Sequence, residues 1–292
     1  VLKNQGIESM LFSSSNDVSF FINEKFKIKD FKLKSIIDLK NLSYKSKLKN
    51  FKKYFKNYKN TLILKNNKIL FSYNKNEFSI NGNGKIGFEE VYDNIDYKIK
   101  HQNKQYIFST NINLKKNLFL LPLLNYEKKK NSKLSINLDG VYEDYKGILF
   151  NKINIKEDDN SILVKNLKLN KKLKISKIDS IDINLINQEK ILNQLKVKRQ
   201  KKNYKISGKY FYIKEIIDEI NSDDTQSNII FDDLNTIIYI DVSKIFLDTK
   251  SFVKNFNGKI IYKKNKIYKL DLVSIFPNNK KLNLTINTNE NN

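Results

Sequence analysis

The sequence predicts a mainly β protein: a long, twisted antiparallel meander sheet curled into an open groove and interrupted by two short amphipathic helices. Three observations carry that prediction. Apolar and polar residues alternate with period two from one end of the chain to the other. Turn-forming Asn, Asp and Gly recur about every ten residues. The continuous apolar runs of parallel sheets buried on both faces are missing.

The elements follow in order. Phe26 and Ile28 alternate with polar neighbours, and Phe31 and Leu33 continue the pattern one phase step later. Leu48, Phe51, Tyr54, Phe55 and Tyr58 stand at helical spacing, so 48–58 reads as a short helix whose aromatic stripe packs on the rim of the sheet. Ile95, Tyr97 and Ile99 return to period two. So does Leu134-Ser135-Ile136-Asn137-Leu138-Asp139, with three aliphatics on one side and three polar groups on the other. Between Val164 and Leu167 the apolar phase slips by one residue, which predicts a bulge or tight turn. Ile181, Ile183 and Leu185 form the next alternating set. Ile213, Ile216, Ile217 and Ile220 then read as a second helix over 212–220, followed by an acidic, mobile loop at 221–228. Ile238 with Ile240, and Leu282 with Leu284 and Ile286, close the series.

Turn signals divide these strands. Asn81-Gly82-Asn83-Gly84 and Asp139-Gly140 read as hairpin turns, because Asn, Asp and Gly tolerate positive φ. Asn66-Asn67, Asp158-Asp159-Asn160, Asn170-Lys171-Lys172 and Lys263-Lys264-Asn265 are weaker versions. The spacing predicts about 15–18 strands in sequential meander order. With only Pro122 and Pro277 there is no proline-rich linker, and residues 1–292 read as a single elongated β-groove segment. Val1 is not a start methionine and Met10 is the only Met, so the segment reads as a fragment of a longer protein.

Composition removes much of the usual chemistry. The chain has no Cys, hence no disulfide framework, thiolate metal site or cysteine nucleophile. Its single histidine, His101, excludes His-based metal clusters and reads as a turn-flanking residue. The acid pairs Asp158-Asp159, Asp223-Asp224 and Asp232-Asp233 read as solvated turns rather than paired catalytic carboxylates. Asn81-Gly82-Asn83-Gly84-Lys85 lacks the spacing of a phosphate loop. The expectation is therefore a protein that is not an enzyme and holds no metal or cofactor. The net charge of +24 rests on 54 Lys and a single Arg, Arg199. Nucleic-acid surfaces rely on the planar Arg fork, so no nucleic acid is expected and the lysines are assigned to a solvated face.

The other face is the informative one. An open sheet of about sixteen strands cannot leave dozens of large aliphatics in water when each costs about 1.5–3 kcal/mol relative to burial. It must close, pack against a second sheet, or curl around something apolar. An acyl chain sheltered at about 0.8 kcal/mol per CH₂ meets that demand. The in-phase candidates for a lipid-lined groove are Leu134, Ile136, Leu138, Ile181, Ile183, Leu185, Ile238, Ile240, Leu282 and Leu284. The competing expectation is a structural or adhesive β-protein whose interior is filled by its own side chains.

Several segments carry a family likeness: Phe78-Ser79-Ile80-Asn81-Gly82-Asn83-Gly84-Lys85-Ile86, Tyr92-Asp93-Asn94-Ile95-Asp96-Tyr97, Leu124-Asn125-Tyr126-Glu127-Lys128, and Tyr204-Lys205-Ile206-Ser207-Gly208-Lys209-Tyr210-Phe211 running into the 213–220 helix. Over most of residues 60–290 this succession resembles the middle region of bacterial AsmA-like proteins of the YhdP branch. The resemblance implies a long β-groove in the periplasm, carried by an envelope protein anchored in the inner membrane through a helix this chain lacks. It also implies phospholipids as cargo between the inner and outer membranes, with other envelope proteins as partners.

Overall fold

The computed structural model describes residues 6–46, 49–56, 58–88, 91–221, 231 and 233–288. Strands dominate it, and they fall into two compact units: residues 1–120 with 128–146, and residues 121–127 with 147–292.

The first unit is an antiparallel meander. Strands β1 (Ile7–Ile22), β2 (Ile28–Lys45), β3 (Thr61–Asn74), β4 (Glu77–Gly87), β5 (Tyr92–Gln102) and β6 (Gln105–Leu114) pair in sequence. After the two-residue strands β7 (Leu120–Leu121) and β8 (Tyr126–Glu127), β9 (Leu134–Glu143) pairs with β6. Strand β1 pairs with β2 along nearly its whole length.

Two glycine-rich signals turn out not to be turns. Asn81-Gly82-Asn83-Gly84 lies within β4, and Asp139-Gly140 within β9. The glycines serve the face rather than the bend. A Cβ at Gly82 would overlap the Tyr97 ring, and one at Gly84 would overlap the Asn67 side chain. Asn66-Asn67 is likewise a bulge inside β3, with Asn66 at φ 50°. The actual hairpin turns are Lys75-Asn76 (φ 47° and 67°) and Asn103-Lys104 (φ 50° and 61°), whose paired left-handed residues match the twist of the strands they join.

The expected helix at 48–58 is instead a short 3₁₀ segment, Lys49–Lys53, followed by turns. Its first turn has no acidic residue to meet the helix dipole, and so short a segment has few bonds over which to repay nucleation. Leu48 and Asn57 lie outside the described residues. The aromatic spacing still serves packing, since Tyr54 and Phe55 donate backbone N–H groups to Phe51 and Tyr58 donates to Phe55.

In the second unit β10 (Gly147–Glu157), β11 (Asn160–Leu169), β13 (Ser180–Ile186), β14 (Leu192–Gln200) and β15 (Asn203–Tyr212) again pair in sequence and antiparallel, with the short β12 (Ile175–Lys177) beside the end of β11. The phase slip after Val164 falls at Asn166, which has φ 50° and donates its amide to Asp179. Here β11 changes partner from β13 to β12. Helix α1 (Lys214–Asn221) corresponds to the predicted 212–220 helix.

The strands that α1 connects are parallel. β16 (Thr236–Phe246) runs alongside β15 in the same direction. A purely antiparallel chain was expected, but the connection through α1 carries the chain back to the end at which β15 began, and that makes the pair parallel. β17 (Phe252–Lys263), β18 (Lys266–Ile275) and β19 (Lys281–Asn287) then resume the antiparallel order. The expected mobile loop at 221–228 lies outside the described residues from position 222 onward, as do Asp223-Asp224 and Asp232.

A candidate apolar binding face

Register decides which side chains share a face, because directly paired residues point to the same side of a sheet. In the first unit Leu134, Ile136 and Leu138 pair with Leu114, Ile112 and Thr110, and these lead on to Ile95 and Tyr97. The same face continues through Ile99 and Phe108, Ile80, Phe71 and Ile69 to Ile37 and Leu39. These strands therefore place most of their apolar residues on one side, while Ile36, Leu70, Ile107 and Val141 lie on the other. The opposite side carries Lys34, Asp38, Ser72, Ser79, Asn81, Lys85, Asn94, Asp96, Lys98, Asn111 and Asn137. Polar pairs knit that side, among them Ser72 to Ser79 at 2.7 Å and Lys85 to Asn94 at 2.5 Å.

The second unit repeats the arrangement. Ile181 and Ile183 pair with Val164 and Ile162 on one flank, and Ile181, Ile183 and Leu185 with Val197, Leu195 and Asn193 on the other. The face passes through Ile206 to Ile238 and Ile240, then through Ile260, Leu270 and Leu272 to Leu284, with Leu282 opposite Ser274. Its reverse side bears the ion pairs Lys196–Asp182 (3.5 Å) and Lys205–Asp241 (3.9 Å). Within each unit, the residues singled out from the sequence thus share one apolar face, and many of the lysines lie on the other.

Burial along this face is graded. In the first unit one end is packed shut by aromatics from three connections. Phe55 stacks on Phe88 with ring centroids 4.0 Å apart and planes 12° apart, and meets Phe119 edge-on at 5.5 Å. Phe55, Tyr58, Phe88 and Phe119 are buried, together with Leu39, Ile86, Ile95, Leu114, Leu134 and Ile136 beneath them. Phe55 and Tyr58 of the 51–58 stripe are therefore packed, whereas Tyr54 stays 41% exposed.

Polar groups lock the same end. The Asp93 carboxylate accepts the backbone N–H groups of Lys115, Lys116 and Asn117 and the Asn117 side-chain amide, at 2.8–3.2 Å. Burial alone would raise the Asp93 pKa, but these hydrogen bonds to the charged form outweigh it and hold the carboxyl below its ordinary value. The buried Lys128 ammonium donates to the Lys115 and Lys129 carbonyls.

Away from that end, Ile69, Phe71, Ile80, Tyr97, Ile99, Phe108, Ile112 and Leu138 are only half-buried. The strands in closest contact are hydrogen-bonded neighbours. The second unit shows the same gradient. Ile183, Leu185, Leu195, Phe211, Tyr212, Val242, Ile245 and Val253 are buried at the end where the Tyr212 N–H donates to the buried Asn193 side chain. Ile181, Val197, Ile206, Ile238, Ile240 and Ile260 are half-buried. Of the ten candidate residues, Leu134, Ile136, Ile183 and Leu185 thus belong to the packed ends. Leu138, Ile181, Ile238, Ile240 and Leu282 lie on the half-open part, and Leu284 is exposed near the edge.

Sequence reading missed the aromatic row at the other end of the first unit. Phe78 stacks on His101 (5.1 Å), His101 meets Tyr106 (4.7 Å), and Tyr106 meets Tyr142 (5.9 Å). His101 is therefore a ring in a row of rings. The signal was available: each of these residues occupies the apolar phase next to a turn. Asp158 and Asp159 are exposed in the β10–β11 turn. Among the described residues no group of three or more His, Asp or Glu is placed to hold a metal, and no helix is long and apolar enough to cross a membrane. No protein-family model, curated protein or solved structure matches the chain.

Proposed function

We propose that this chain is a non-enzymatic lipid-transfer module in which the apolar face of each unit forms a groove for phospholipid acyl chains. One observation carries the reading: each unit presents a continuous apolar face that is only half-buried away from its packed end. Such a face is too greasy to be an ordinary solvated surface and too open to be a finished core. Acyl chains satisfy it, while head groups remain in water. The lysine-bearing reverse faces keep the module soluble and add a salt-sensitive attraction for anionic head groups.

The resemblance to AsmA-like proteins supports the setting: a periplasmic segment of an envelope protein held at the inner membrane, moving phospholipid towards the outer membrane. The second reading, a self-packed structural or adhesive β-protein, draws its support from the aromatic cluster around Phe55 and the buried set around Leu185. The two differ in one measurement. Native mass spectrometry of protein purified from a bacterial envelope fraction, followed by lipid extraction, should find phospholipid at a reproducible ratio to chain. Protein that emerges lipid-free and takes up none from mixed micelles would leave the scaffold reading.

A further inference from the structure

The first unit has two unlike ends. Its turns alternate between them, so the β1–β2, β3–β4 and β5–β6 turns and the turn after β9 gather at the end opposite the Phe55 cluster. These turns comprise residues 23–27, 75–76, 103–104 and 144–146, and they hold five lysines against two carboxylates.

Two aromatics project from them. Phe26 is 90% exposed and Tyr145 is 85% exposed. Phe26 is displayed by a built turn. Asn23 accepts the Lys25 and Lys27 N–H groups on its side chain, and its carbonyl accepts the Phe26 N–H at 2.9 Å. Phe26 itself sits at φ 55°, a conformation rare for a bulky residue. Immediately inside this rim lies the aromatic row Phe78, His101, Tyr106 and Tyr142, with Phe31 against Tyr73 at 5.9 Å.

We infer that this rim docks at the interfacial region of a phospholipid bilayer, with Phe26 and Tyr145 seated among the head groups and Lys25, Lys27, Lys75 and Lys104 beside lipid phosphates. Aromatic rings flanked by lysines suit that zone, where one part of a side chain meets hydrocarbon and another meets water. The charge of the chain, +24, draws it towards an anionic surface before contact. Water-exposed Phe26 and Tyr145 gain burial there, whereas the aromatics of the opposite end are already buried against one another. The aromatic row continues from the rim into the aliphatic face, so a tail leaving the bilayer would meet apolar side chains at once. The inference deepens the lipid-transfer reading and rests on it.

The test is co-sedimentation of the full chain with large vesicles of phosphatidylcholine and phosphatidylglycerol at 7:3. The double variant Phe26→Ser, Tyr145→Ser is compared with a control altered on the polar face, Ser79→Thr. Partitioning of the double variant should fall about tenfold, while its circular dichroism and its uptake of a micellar short-chain phosphatidylcholine stay unchanged. Vesicle binding equal to that of the control would overturn the rim assignment. So would a change of oligomeric state on substitution, which would mark the rim as a protein interface. Failure of every form, the unaltered chain included, to take up short-chain lipid would instead overturn the groove reading.

Discussion

Replacing Ile240 with Asp separates an open face from a closed core. Ile240 is half-buried in the middle of β16, between Ile206 on β15 and Gly258 on β17. Gly258 offers no side chain above the sheet, so a carboxylate at 240 has a route to water. The cost is the lost partial burial of one aliphatic, about 1–2 kcal/mol. In a unit of this size that lowers the melting temperature by about 2–4 °C per kcal/mol. Leu185, 1% exposed at the packed end, is the contrast. Leu185→Asp removes a fully buried side chain and buries a charge, a combined cost above about 4 kcal/mol, enough to unfold a marginal unit. The assay pairs thermal unfolding by circular dichroism with phospholipid content per chain. The Ile240 variant should stay folded and lose most of its lipid, while the Leu185 variant should lose structure. If Ile240→Asp unfolds the protein as Leu185→Asp does, the face is a core and the reasoning fails. It fails equally if that variant is folded with its lipid content intact.

Asp93→Asn should destabilise the first unit by about 2–3 kcal/mol at pH 7, because a charged acceptor of several N–H bonds is lost. The folded carboxyl titrates below its unfolded value of about 3.9. Its stabilisation is therefore complete above that value and lost as pH falls through the folded pKa, so urea titrations should show the gap between wild type and variant closing on acidification. A gap independent of pH between 6 and 2.5 would contradict the assignment. Phe55→Ala should cost about 3–5 kcal/mol by emptying the stack with Phe88 and Phe119, read as a lower urea midpoint. A loss below about 1 kcal/mol would mean the cluster is not a core. Gly82→Val should destabilise through overlap with Tyr97, and Tyr97→Ala in the same chain should recover part of the loss. Strict additivity of the two changes would refute that contact.

How much of this was legible in the sequence depended on the kind of signal. Period-two alternation identified the strands and the shared face, since side-chain direction follows directly from position in a strand. That is why Leu134 with Ile136, and Ile181 with Ile183, fall on the face expected of them. Glycine was misleading for a physical reason. Gly82, Gly84 and Gly140 looked like turns because glycine permits positive φ, yet all three lie within strands, and at Gly82 and Gly84 a neighbouring side chain fills the space of a Cβ. The turns were made by Lys75, Asn76, Asn103 and Lys104, which the twist of the hairpins holds in left-handed conformations. Helical spacing at 51–58 was also ambiguous, because four residues separate ring pairs equally well in a helix and in successive tight turns. The gradient from packed end to half-open face was not readable at all. It depends on which connections fold over the sheet, and alternation within a strand carries no information about what covers it.

The central claim is that acyl chains lie on the apolar face and nowhere else. Photo-cross-linking tests it most directly, with a benzophenone amino acid placed singly at Ile80, Ile99 and Ile240 and, one step along each strand, at Ser79, Lys98 and Tyr239. In protein loaded with phospholipid, the first three positions should give lipid adducts on irradiation and the second three should not. Equal labelling at both sets, or none at Ile80, Ile99 and Ile240 in protein that retains its lipid, would contradict the account.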